Sequence, residues 1–304
     1  MSRTSHALRR RLLVLLVAVA LAVSGVIADP TPDLSVLVRP SAQNQNQLGP
    51  NRLPRTQRRV DKDEERGINA NILQWLHSGQ SVDDVFKLLK LDDGVEKILS
   101  NPNLPTFMEY VNRFNLQNPG NGATAIKTVT AAYGDDVVAK VLQTAKKVSS
   151  TKVMAEKLMG DQRILWLGDK KSPAHVFQLL KLDDAATNPL NSPVLDAWTS
   201  YLTLFNYVNP GKETTMIKTF TTAYGDAALA KLLNSAKAVP ETESIAKNLQ
   251  LAQFTRWMRK GQNPDKIYRN VFKLDPKLKT PPEPYQTILN HYHWFYQLHL
   301  RKNT

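Results

Sequence analysis

"AIKTVTAAYGDDVVAKVL", residues 125 to 142, returns ninety-one residues later as "MIKTFTTAYGDAALAKLL", residues 216 to 233, with eleven of eighteen positions identical. The same spacing joins Trp75, Trp166 and Trp257; Phe86, Phe177 and Tyr268; Tyr110, Tyr201 and Tyr292; and Phe114, Phe205 and Tyr296. A fixed period of this length marks a tandem array in which each unit packs mainly against its neighbours. It predicts units at 67–150, 151–241 and 242–304, the last ending before the place of a third Tyr-Gly-Asp.

Inside each unit the signals are helical. Ser81, Ser172 and Asn263 stand where a side-chain oxygen caps a helix, and Pro173 and Pro264 follow at the first-turn position where a missing N–H costs nothing. Val82, Val85, Phe86 and Leu89 then share one face. The spacing predicts a helix over 104–117, stopped by Asn118-Pro119-Gly120 and repeated with the stop Asn209-Pro210-Gly211. The next helix runs to Tyr133, Gly134 permits a left-handed turn, and Asp135 reads as the cap of another; Tyr224-Gly225-Asp226 repeats the pattern. A helix over about 151–167, with Val153, Leu158, Ile164 and Leu167, is placed to pack on two units at once. Strand signals are nearly absent, so the fold class is all-α, with units stacked into an elongated superhelical array. The repeated Trp and Tyr residues, Tyr133 and Tyr224 included, read as core because they recur at one helical register among apolar neighbours.

Ahead of the units the chain reads differently. Arg9, Arg10 and Arg11 precede an apolar run from Leu12 to Val23, and Val26-Ile27-Ala28 offers a cleavage site, so residues 1–28 read as a secretory signal peptide. The apolar run is too short to span a bilayer, which takes about 20 residues. Residues 29–66, with five prolines and no apolar periodicity, read as a disordered linker. It ends in "RLPRTQRRVDKDEER", residues 52 to 66, with six basic and four acidic side chains. Composition alone makes this a solvated spacer; its place between leader and helices suggests a segment that other machinery must reach.

In this order, leader, charged motif and helical repeats, the chain resembles the RxLR effectors of oomycete plant pathogens. Asp63-Glu64-Glu65-Arg66 matches their acidic motif fully, and Arg52-Leu53-Pro54-Arg55 matches Arg-x-Leu-Arg in part, with Pro54 in place of Leu. The repeats look like the WY units of that family and their LWY extension. Trp75, Trp166 and Trp257 fall at the Trp positions and Tyr110, Tyr201 and Tyr292 at the Tyr positions, with Tyr133 and Tyr224 competing for that label. The resemblance implies export, entry into plant cells, and suppression of host immunity by binding a host protein in cytoplasm or nucleus, with no catalysis or cofactor. It also implies two mechanisms, capture of the scaffold subunit of a host phosphatase and interference with RNA silencing.

Other chemistries find little support in the residues. The chain has no cysteine, which removes disulfides and thiol catalysis and suits a reducing compartment as well as a secreted protein that needs no staples. "GNGATA" at 120 to 125 follows no strand, and "GK" at 211 to 212 is followed by Glu213 where a phosphate loop needs Ser or Thr. His291, His293 and His299 point to different sides of a helix, so no metal site is expected. The formal charge of +13 falls to +9 without the four leader arginines, and residues 254–304 carry ten basic against three acidic side chains. Arg256, Arg259, Lys260, Lys266 and Arg269 therefore form a candidate basic patch for an acidic protein or for nucleic acid, the alternative partner.

Overall fold

The computed structural model describes residues 55–120, 122–184 and 187–301; Arg52, Leu53 and Pro54 of the first motif lie outside the described residues. Every regular element among the described residues is helical. The first helix, α1, runs from Arg55 to His77 and so begins well ahead of the linker boundary expected at Arg66. The charged stretch lacks an apolar face but also lacks proline and glycine between Arg55 and Arg66. Arg59 and Asp63 stand four apart and Lys62 and Glu65 three apart, spacings at which opposite charges favour a helix.

Helices α2 (Val82–Leu88), α3 (Leu104–Gln117), α4 (Ala125–Tyr133) and α5 (Asp135–Ala145) complete the first set. The second comprises α6 (Lys152–Gly168), α7 (Pro173–Leu179), α8 (Leu195–Val208), α9 (Met216–Tyr224) and α10 (Asp226–Ala236). The third holds α11 (Pro240–Arg259), the short α12 (Pro264–Lys266) and α13 (Tyr285–Leu300). The expected caps are present: Ser81, Ser172 and Asn263 accept from the amides of Asp84, His175 and Lys266 at 3.1, 3.2 and 2.9 Å. Gly134 and Gly225, with φ of 87° and 75°, make the sharp turns between α4 and α5 and between α9 and α10, a conformation that a side chain disfavours.

Three apolar cores follow in chain order. The first gathers Ile72, Val85, Phe86, Phe107, Tyr110 and Ile126; the second Trp166, Phe177, Trp198, Tyr201 and Phe220; the third Trp257, Ile267, Phe272, Ile288 and Tyr292. They are joined by helices divided between two of them. Ala155, Leu158 and Met159 of α6 lie in the first core and Trp166 of the same helix in the second. Ala246 and Leu249 of α11 lie in the second and Phe254 and Trp257 in the third. From the other side Ala139 of α5 reaches the second core and Ala230 of α10 the third. At these crossing points the side chain is a fully buried alanine, small enough for helices to approach closely. Val153, expected at the junction, is instead 79% exposed, because the inward face of α6 is formed by Ala155 and Leu158.

The third core departs from the repeat by one residue. Leu91 and Leu182 donate to the carbonyls of Phe86 and Phe177, five residues back, whereas Leu274 donates to Tyr268, six back, and Phe272 to Ile267 at 3.0 Å. Residues 267–271 form this π turn. Tyr268, matched to Phe177 by spacing, is consequently half-buried with its hydroxyl on the Asp275 carbonyl at 2.6 Å, and Phe272 enters the core against Trp257.

Enlarging either crossing point should separate neighbouring cores. Ala230→Leu is expected to lower the urea unfolding free energy by about 1–3 kcal/mol through overpacking. Ala131→Leu, on an exposed position of α4, should stay within about 0.5 kcal/mol of the parent.

Candidate interaction surface and the junctions beneath it

The surface is positioned by two junctions with a common chemistry. The indole N–H of Trp166 donates to Asp135 Oδ1 at 2.6 Å, and that of Trp257 to Asp226 Oδ1 at 2.9 Å. Beside them Gln162 and Gln253 donate to the Asp135 and Asp226 carbonyls at 3.2 and 2.9 Å. The two aspartates therefore do not cap their own helices, where no side-chain cap bond forms. Each sits in the first turn, near the positive end of the helix dipole, and accepts from the tryptophan of the next core.

The two tyrosine positions that compete for one label act in different places. Tyr110, Tyr201 and Tyr292 are fully buried and donate to the carbonyls of Gln80, Lys171 and Gln262, closing the turn that follows each Trp helix. Tyr133 and Tyr224 are half-buried and donate to the carbonyls of Leu91 and Leu182. Burial pushes Tyr201 and Tyr224 up to about 12, the nearby Asp183 and Asp184 adding to it at Tyr224, and raises Tyr292 in the same way, with Tyr296 adding to it. Trp75 is only half-buried and meets Tyr110 edge-on at 6.1 Å between ring centres.

The junctions differ in their charges. At the first, Lys181 lies 2.9 Å from Asp136, whose side chain is 8% exposed, with Lys140 at 3.7 Å. Burial alone would raise the Asp136 carboxyl; the hydrogen bond and charge of Lys181, then Lys140, outweigh it and hold the group below its usual range. At the second, the spacing places Ala227 where Asp136 stood, and Arg256 pairs with Asp226 at 3.0 Å. Lys146 faces Asp196 at 3.9 Å, while its counterpart Lys237 finds Gln250 Oε1 at 2.8 Å and His291 Nδ1 at 3.3 Å. The ammonium donates, so the His291 ring accepts at Nδ1 and is neutral. Burial, then the Lys237 charge, pushes that imidazole below its usual value. Three buried amide atoms without a protein partner, Gln250 Nε2, Gln253 Oε1 and Gln262 Oε1, lie on or just past α11.

Of the candidate basic patch, Arg259, Lys260, Lys266 and Arg269 are exposed, and Lys266 donates to the Gly261 carbonyl at 3.1 Å. Arg256 is not part of that surface, because Asp226 holds it in the junction. In the other candidate motif, Asp63, Glu64, Glu65 and Arg66 lie on α1 with Arg55 at its start. His291, His293 and His299 do not converge: His291 meets Lys237 and His299 turns back to the Phe295 carbonyl at 2.8 Å. Among the described residues no group of His, Asp and Glu is placed to hold a metal ion, and no helix is long and apolar enough to cross a membrane.

Sequence reasoning missed Trp198, fully buried with its N–H on the Pro173 carbonyl at 2.8 Å, because its repeat partner is Phe107 and not another tryptophan. It also missed Asn115 and Asn206, which grip the backbone of Ala123 and Thr214 with both ends of their amides. Their spacing of ninety-one residues was the available signal.

No protein-family profile matches the chain. It is 34% identical over 234 residues to RxLR effector protein PSR2 of Phytophthora sojae, covering 70% of this chain and 35% of that protein. It is 36% identical over 233 residues to an RxLR effector protein of Phytophthora infestans, covering 75% of this chain and 33% of that one. The chain thus spans about a third of the length of these curated relatives. The crystal structure of PcRxLR12 superposes with a TM-score of 0.61 at 37% identity, over 80% of this chain and 58% of that one.

Two measurements test the junction chemistry. Asp226→Ala leaves the Trp257 indole and the Arg256 guanidinium without their acceptor and should cost about 2–3 kcal/mol in urea unfolding. The His291 contact contributes fully above the ordinary histidine value of 6.5 and is lost as pH falls through the lower folded value. The melting temperature should therefore drop on acidification from about pH 7 to about pH 5, and His291→Gln should flatten that drop.

Proposed function

The chain belongs to the RxLR effectors of oomycete pathogens, and from that membership we propose that it is a secreted effector that enters plant cells and lowers host immunity by binding a host protein. One observation carries the reading. Buried positions shared at the repeat spacing build cores and junctions, while several exposed positions differ between copies. At one exposed position of α3, α8 and α13 stand Asn112, Thr203 and Trp294, the last 69% exposed. Surface residues that differ between copies are those free to select a partner.

On this reading residues 67–150 are a WY unit and residues 151–241 and 242–304 are LWY units, with α6 and α11 as the helices that lock each unit to the one before. Residues 1–28 direct secretion, and the segment from Arg52 to Arg66 serves export and processing. The protein acts by recruitment, without catalysis or cofactor, in the cytoplasm or nucleus of the host. Capture of a phosphatase scaffold subunit and interference with RNA silencing are two routes open to it. A second reading rests on the exposed Arg259, Lys260, Lys266 and Arg269: binding of nucleic acid in the host nucleus.

Tagged residues 29–304, expressed in plant cells and purified with and without nuclease, separate the two. Recovery of a plant protein in comparable amount, unaffected by nuclease, is the expected result. Recovery of nuclease-sensitive material alone would replace it with the second reading.

A further inference from the structure

The loop that follows α2, α7 and the π turn starts from the same anchor in all three cores. Lys90, Lys181 and Lys273 each have φ of 53°, and Leu91, Leu182 and Leu274 follow, the first two buried and the third half-buried. Beyond the anchor the charges part. The first loop carries Asp92, Asp93, Glu96 and a single Lys97 and the second Asp183 and Asp184, but the third carries Lys277 and Lys279 beside Asp275 and Glu283, with Arg269 shortly before. The extra residue of the π turn delivers this loop, so its lysines lie outside the ninety-one-residue register.

These cations are exposed, and among the described residues no ion pair engages Arg269, Lys273, Lys277 or Lys279. Lys273 illustrates the change. Its counterpart Lys181 is held by Asp136, and the spacing puts Ala227 in that acid's place. The loop is nonetheless fixed: Tyr268 donates to the Asp275 carbonyl at 2.6 Å, the Lys277 amide to Asp275 Oδ1 at 2.9 Å, and Pro276, Pro281 and Pro282 restrict the backbone. Between Lys277 and Lys279 stands Leu278, 45% exposed. Exposed lysines held close together in the chain, with only Asp275 among them, repel one another, and a partner of opposite charge relieves that repulsion at little ordering cost.

We propose that Lys273–Lys279, with Arg269 beside it, is a docking surface for an acidic segment of a partner protein, an Asp- or Glu-rich stretch with an apolar side chain that covers Leu278. The proposal rests on the host-protein reading and names the partner's chemistry. Nucleic acid fits less well. Between Arg259 and Pro284 the aromatic side chains are Phe272, buried, and Tyr268, half-buried and hydrogen-bonded, so the segment itself offers no free ring to stack on a base.

The test uses residues 29–304 and three fluorescent probes of equal charge: a Glu-rich peptide containing leucines, a leucine-free Glu peptide, and a single-stranded oligonucleotide. The leucine-containing peptide should bind best by anisotropy. Lys273→Glu, Lys277→Glu and Lys279→Glu together should weaken it at least about tenfold. The same reversal at Lys147, Lys152 and Lys212, exposed elsewhere, should change it less than about twofold. Leu278→Ala should remove the advantage of the leucine-containing peptide. Equal weakening by both triple variants overturns the proposal, as does tighter binding of the oligonucleotide. A plant protein recovered equally by wild type and the loop variant would also overturn it while leaving the host-protein reading intact.

Discussion

Everything in this fold depends on helices that belong to two cores at once. A helix buried in a single core can tilt or slide as its neighbour is repacked, but α6 and α11 are fixed at both ends, by Ala155 and Leu158 against Trp166 and by Ala246 and Leu249 against Phe254 and Trp257. The Trp–Asp hydrogen bond adds a directional contact to each junction, because the indoles of Trp166 and Trp257 donate to a carboxylate on the preceding set of helices. Apolar burial supplies most of the stability of such a junction, and the directional bond supplies its geometry. Two copies of one junction place successive surfaces by the same rule.

How much of this was legible depended on whether a residue had one plausible role. Trp166, Trp257, Tyr110, Tyr201 and Tyr292 are fully buried as their period suggests, while Trp75, Tyr133 and Tyr224 are half-buried, and Ser81, Ser172 and Asn263 act as caps. Asp135 and Asp226 had two roles, because the position that caps a helix is one residue from the position that presents a carboxylate to a neighbour, and sequence does not separate them. The helix through Asp63 and Glu64 was hidden for a different reason: a stretch with Val60 as its one large apolar residue has no apolar period to read. The π turn was masked by chemistry, since Tyr268 is an acceptable aromatic at the expected spacing although Phe272 fills the core.

The candidate surface was legible only as an excess of charge. Counting put the basic residues in the last part of the chain, but the count treated Arg256 and Lys277 alike. The structure separates them by neighbour: Arg256 has Asp226 at 3.0 Å, and Lys277 lies on an exposed loop. Lys146 and Lys237 show the same ambiguity, equivalent in sequence yet facing a carboxylate in one copy and an imidazole in the other.

The contrast between the junctions bears on where change is tolerated in a repeat. The first closes with the Asp136–Lys181 pair beside its Trp–Asp bond, so the loop lysine is committed to holding two cores together. The second meets the same mechanical need with Arg256 on the shared helix itself, which reaches Asp226 without help from the loop. Once the junction charge has moved onto the helix, the loop of the third core is no longer needed to close the junction. It can carry an inserted residue, prolines and unpaired lysines without loss to the array. Freedom from the junction is the physical condition for a surface that differs from its two sister surfaces, and in this chain that condition is met at Lys273–Lys279.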